Sequence, residues 1–136
     1  MKGWIRRLAL SLGFLLMAGC GSAGAAGEID IDLDSFSDTV MFAEVTNLLT
    51  EPEEAVGKTI RVSGELTFGE GGGQLFCLVT DPTGCCEENI EFEPEQEDVL
   101  EEREIMEGDE ITVRGVFDTY LSGKNVRCIL REAVLE

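Results

Sequence analysis

Two blocks of this 136-residue chain repeat one another. Gly57-Lys58-Thr59-Ile60-Arg61-Val62-Ser63-Gly64 and Gly108-Asp109-Glu110-Ile111-Thr112-Val113-Arg114-Gly115 each open on glycine and then alternate apolar with polar residues. Each also carries a second glycine inside the alternating run. A period of two is the mark of a strand with one buried face. A glycine within such a run marks a bulge or a sharp bend. Two strands bent at equivalent places suit the corners of a barrel better than a flat sheet. Ile60, Val62, Leu66 and Phe68 are expected on one face, with Ile111, Val113 and Phe117 matching them in the second block.

The remaining elements fall into place around these two. Leu75, Cys77 and Val79 alternate with Phe76, Leu78 and Thr80, and Ile90 and Phe92 resume the pattern after Asp81-Pro82-Thr83-Gly84. That tetrad has turn chemistry: Asp at the first position, Pro pre-setting φ at the second, Gly at the fourth. Val126, Cys128 and Leu130 form a last strand, with Cys77 and Cys128 both expected to face inward. Glu95 to Glu107 reads as a loop or a short helix. Before the strands, Ser37 or Asp38 caps a helix to about Leu49, with Met41, Val45 and Leu48 on one face. Pro52 stops it, because proline disfavours helix at the residue before it. The order is helix, three strands, a connection, two strands. This predicts a mainly β fold, a five-stranded OB-fold-like Greek-key barrel with an N-terminal helix, over residues 38–136.

The N-terminal part reads as an address. Lys2, Arg6 and Arg7 precede an apolar core from Leu8 to Met17, too short to span a membrane. Leu16-Met17-Ala18-Gly19-Cys20 follows, which resembles the bacterial lipoprotein signal. Residues 1–19 are therefore expected to be a signal peptide and Cys20 the lipidated mature N-terminus. The chain would sit lipid-anchored on the extracytoplasmic face of the cell membrane, touching it through acyl chains. Residues 20–37 are expected to form a flexible, acidic linker. Asp30, Asp32 and Asp34 have the spacing that opens a calcium loop, but Ser35 stands where such a loop needs glycine and Met41 where it needs glutamate.

GKTIRVSGEL, LFCLVTDPTGCCEENIEF and GDEITVRGVFDTY together resemble the OB-fold lipoproteins of Gram-positive Firmicutes, over roughly Met41 to Glu136. More distantly, they resemble OB domains of the tRNA-anticodon-binding type. The resemblance implies a fold and a location and supplies no activity.

Charge and cysteine usage narrow the function. Without Lys2, Arg6 and Arg7, seven basic residues remain against 28 acidic ones, a net charge of −21. Arg61, Arg114, Arg127 and Arg131 fall on outward positions near Phe76, but a chain this acidic is repelled by phosphate backbones, which argues against nucleic acid. There is no histidine, which removes the serine and cysteine catalytic designs that need one. Glu87, Glu88, Glu91, Glu93, Glu95, Glu97 and Asp98 are expected to be a solvated face, and no enzyme or cofactor is indicated. Cys77, Cys85, Cys86 and Cys128 remain once Cys20 takes lipid. Outside the cytoplasm, two structural disulfides are the first expectation, with one of Cys77 and Cys128 tied to Cys85 or Cys86. A bond between the adjacent Cys85 and Cys86 is strained. The rival is a zinc site built from the four thiolates, although the spacing lacks the usual paired knuckles. A thiol-exchange pair is weaker still. The expected role is a non-catalytic binding or assembly module with a cell-surface protein partner. If Cys20 carries the lipid, Cys20→Ser will abolish fatty-acid labelling and move the chain from the membrane to the soluble fraction.

Overall fold

The computed structural model describes residues 27–136. Along the chain come β1 (Ile31–Asp32), α1 (Asp38–Thr50), β2 (Thr59–Phe68), β3 (Leu75–Thr80), β4 (Glu87–Pro94), α2 (Val99–Glu102), β5 (Glu110–Ser122) and β6 (Asn125–Leu135). The expected signal peptide and the expected lipidation site, Cys20, lie outside the described residues.

The two repeated blocks are partners. β2 runs antiparallel to β5 with Val62 opposite Val113, Ile60 opposite Gly115 and Gly64 opposite Ile111. β2 also pairs with β3, β3 with β4, and β5 with β6, all antiparallel. A parallel contact between β4 and β6 completes a ring of five strands. The sheet is mainly β and mixed, with β1 added as a sixth strand beside β2.

Both internal glycines stand where a third strand crosses the pair. A Cβ on Gly64 would lie 2.3 Å from the Leu78 carbonyl oxygen of β3. On Gly115 it would lie 2.9 Å from the Arg131 carbonyl oxygen and 3.0 Å from Leu130 Cβ of β6. The register of β5 on β6 also slips between Arg114 and Val116, the expected bulge at Gly115. Hydrogen atoms in place of side chains let β2 and β5 curve onto their other neighbours.

The ring encloses one core. Ile60, Val62, Leu66, Cys77, Ile90, Val113, Phe117 and Leu130 are fully buried within it. α1 packs on β3 and β4 and adds Val45 and Leu48 to the same cluster, the face predicted from its spacing. Met41, Phe42 and Leu49 pack around them, half-buried. The helix ends at Thr50, and Pro52 opens a 3₁₀ turn, as its missing N–H allows.

One expectation needs correction. The acidic stretch read as a solvated linker belongs to the barrel from Asp30 onward. β3 pairs with β2 only from Glu65 to Phe68, so the first half of β2 has an open edge on that side. β1 lies parallel along it, pairing Ile31 with Ile60 and Asp32 with Arg61. Asp30 Oδ2 accepts the Thr59 N–H at 2.8 Å, and Asp34 Oδ1 accepts the Ser63 N–H at 2.8 Å. Leu33 between them is fully buried. The alternating aspartates satisfy backbone donors that would otherwise face solvent along an edge.

Gly64→Ala is expected to lower unfolding free energy by about 3 kcal/mol, at the upper end of overpacking costs, because backbone must move. Gly73→Ala, where a Cβ meets nothing within 4 Å, should stay within about 0.5 kcal/mol of the parent in the same denaturant titration.

Candidate functional site

The four cysteines occupy three different environments. Cys77 projects from β3 into the core beside Gly64, and a Cβ on that glycine would sit 2.8 Å from its sulfur. Burial, helped by the charge of Asp34, pushes its thiol up to about 12. Cys128 lies half-buried at the edge of the core cluster, where burial and then Glu53 raise its pKa. Cys85 and Cys86 are exposed in the turn between β3 and β4. That turn is tightly specified. Gly84 N–H donates to the Asp81 carbonyl at 2.8 Å, Asp81 N–H to the Cys86 carbonyl at 2.9 Å, and Gly84 takes φ +73°. The Asp81 carboxylate accepts both the hydroxyl and the N–H of Thr83, which holds its pKa below the usual range. The Sγ atoms of Cys85 and Cys86 stand 3.2 Å apart.

All four are unbridged thiols, and the structure brings only two of them together. The expected bridges from Cys77 or Cys128 to the turn are not formed. Among the described residues no three Cys, Asp or Glu side chains converge as they would to hold a metal ion.

Of the four arginines expected to face outward, Arg61, Arg114 and Arg131 are spent on carboxylates, and Arg127 pairs with none among the described residues. Arg61 and Arg114 lie directly opposite each other across β2 and β5. Arg61 reaches Asp32 at 3.2 Å, Asp34 at 3.3 Å and Glu136 at 2.9 Å. Hydrogen bonds to Glu136 and Asp32 raise its pKa. Arg114 Nε meets Glu136 Oε1 at 3.0 Å as an ion pair without hydrogen-bond geometry. On the neighbouring strand β6, Arg131 joins Asp118 at 2.8 Å and Glu93 at 2.9 Å, and the bond to Arg131 lowers the Asp118 pKa. Tyr120 donates to Glu91 at 2.5 Å, which also receives Gln74 at 3.2 Å. That bond to Glu91 raises the Tyr120 pKa. These bridges run from β5 to β4 over β6, and Ile129, on the same outward face between them, is only 5% exposed. Each such half-exposed pair contributes about 1 kcal/mol or less. Glu91, expected to be merely solvated, is half-buried in this network, whereas Glu93 stays exposed beside Arg131.

A groove of about 640 Å³ opens between the α1 N-terminus and the outer face of β2, β3 and β5. Asp34, Asp38, Glu65 and Glu110 supply carboxylates, and Phe36, Met41 and Leu78 supply apolar surface. Glu65 and Glu110 are directly opposite each other on paired strands, both exposed, and neither meets a lysine or arginine among the described residues. Ser63 Oγ donates to Asp34 Oδ2 at 2.7 Å and contacts Thr112 Oγ1 at 2.7 Å. Asp34 also holds the Ser63 N–H and lies beside Arg61, so it fastens β2 to the preceding turn. Nothing in the sequence pattern marked this groove.

No family model matches the chain, and no curated protein matches it. Among solved structures it is similar to one described as OBody NL8 bound to hen egg-white lysozyme, at 15% identity and a TM-score of 0.37. The match covers 58% of this chain and 94% of that one.

Native-state alkylation should modify Cys85 and Cys86 first and Cys77 only on unfolding. The raised pKa of Cys77 also gives a pH dependence. The folded thiol keeps its proton to about 12, whereas an unfolded one releases it near 8.5. The contribution is complete below that lower value and is lost as pH rises through the window. Stability should therefore fall by roughly 1.4 kcal/mol per pH unit there, and Cys77→Ala should remove that slope.

Proposed function

We propose that this chain is a lipid-anchored, extracytoplasmic OB-type barrel that works as a non-catalytic binding module. In this reading its acidic groove takes a positively charged segment of a cell-surface protein. Support for the OB assignment comes from the ring order β2-β3-β4-β6-β5 with its one parallel contact, and from the interruption after β4 that carries α2. The resemblance of Met41 to Glu136 to OB-domain lipoproteins points the same way.

The observation that carries the binding reading is the pair Glu65 and Glu110. Like charges directly opposite on neighbouring strands destabilise a sheet. Here they stand unrelieved on the lining of an open groove, in a chain whose outward arginines are mostly committed to other carboxylates. A lysine or arginine side chain laid between them removes the repulsion and gains two charge-assisted hydrogen bonds. Phe36, 44% exposed, with Met41 and Leu78, offers apolar contact for the stem of such a side chain or for a neighbouring residue. Fold alone implies no function, so the reading rests on the groove.

The full chain is expected to bind a lysine- and arginine-rich peptide with an affinity that falls as salt rises, and to ignore an acidic peptide of equal length. Glu65→Gln with Glu110→Gln should weaken that binding about tenfold, a loss of ~1.4 kcal/mol. The same double variant should raise thermal stability, since the like-charge contact is gone. Unchanged peptide affinity in the double variant would sink the reading.

A further inference from the structure

The turn at Asp81–Cys86 presents two thiols whose nearest sulfur partner is each other. Both are exposed, and they follow a backbone fixed by Pro82, by Gly84 at φ +73° and by the Asp81 hydrogen bonds. The backbone that carries the pair is therefore set before anything binds. We propose that Cys85 and Cys86 form a chelating dithiol site for a trivalent, pyramidal thiophilic centre, an arsenic(III) or antimony(III) species carrying displaceable hydroxide.

The span between the sulfurs selects the class. Their separation is 3.2 Å. With metal–sulfur bonds of about 2.3 Å, as in zinc thiolates, that span subtends an angle of roughly 90° at a bound centre. A tetrahedral ion with the same bonds needs its sulfurs about 3.8 Å apart. A disulfide needs them at about 2.05 Å. Trivalent arsenic and antimony bond near right angles and keep a lone pair on the open side. Such a centre is satisfied by two or three ligands, and no third Cys, Asp or Glu joins this pair among the described residues. Soft thiolates favour soft centres over hard ones.

Proton bookkeeping favours the same class. A divalent cation must expel both thiol protons into solution. The metalloid exchange does not. Each S–H proton passes to a hydroxide on the centre, one sulfur–metalloid bond forms, one oxygen–metalloid bond breaks, and water leaves. Two thiols release two waters, and no atom changes oxidation state.

The test is titration of the reduced full chain with phenylarsine oxide, read by native mass and by free-thiol count. The expected product is a one-to-one adduct that consumes two thiols. Cys85→Ser and Cys86→Ser should each weaken it by about a hundredfold, the loss of an intramolecular second contact. Cys77→Ser and Cys128→Ser should leave it unchanged. Parent-like affinity in either turn variant overturns the proposal, as does a failure to form the two-thiol adduct. Displacement of the arsenical by equimolar zinc also overturns it.

Discussion

The close approach of three backbones at Gly64 and at Gly115 is the constraint on which the barrel depends. Strands that curve into a ring must at some point bring one neighbour's backbone against the next, and there a side chain has no room. Leu78 O and Arg131 O occupy the space that Cβ atoms would need. The two glycines also sit at equivalent points of the repeated blocks, paired across Val62 and Val113. The β2–β5 ribbon is thus nearly symmetric, gripping β3 at one end and β6 at the other. The core follows from that closure, because Phe117, Leu130, Ile60 and Leu66 face inward only when both ends are drawn in.

Charge is distributed by a similar economy. With 28 acidic residues and 10 basic ones, most carboxylates must do without a cationic partner. The chain places Arg61, Arg114 and Arg131 where each can serve more than one carboxylate or share one with another arginine. Arg61 gathers the turn before α1 and the last residue onto β2. The acids left over are not evenly spread. Asp38, Glu65 and Glu110 collect around one groove, where mutual repulsion is a standing cost to the folded state.

Much of the fold was legible because period-two alternation and turn chemistry are local. The Asp81–Gly84 turn, the α1 face with Val45 and Leu48, and the bend at Gly115 all follow from residues adjacent in sequence. The aspartates of residues 30–34 were misread for the opposite reason. Their role depends on where β3 leaves β2, a register that no local pattern encodes. The inward position of Cys128 was half right. It shares a face with buried Leu130, but the β5–β6 hairpin outruns the core and leaves Val126 59% exposed. The link from Tyr120 to Glu91 and Gln74 joins residues remote in sequence, so composition offered only a solvated glutamate. Spacing alone did not say which cysteines would meet, since that depends on which turn holds its side chains side by side.

The position of β1 has a mechanical meaning. Tension applied to the chain before Gly27 reaches the barrel first through Ile31–Asp32, which lies parallel to β2 over two residue pairs. Its hydrogen bonds, the Asp30 and Asp34 carboxylate contacts and the buried Leu33 then share the load along their length instead of opening one after another. Arg61 passes part of that load to Glu136, at the far end of the sequence. One guanidinium thereby links both ends of the described chain, so β1 and Glu136 bear on the same residue of β2.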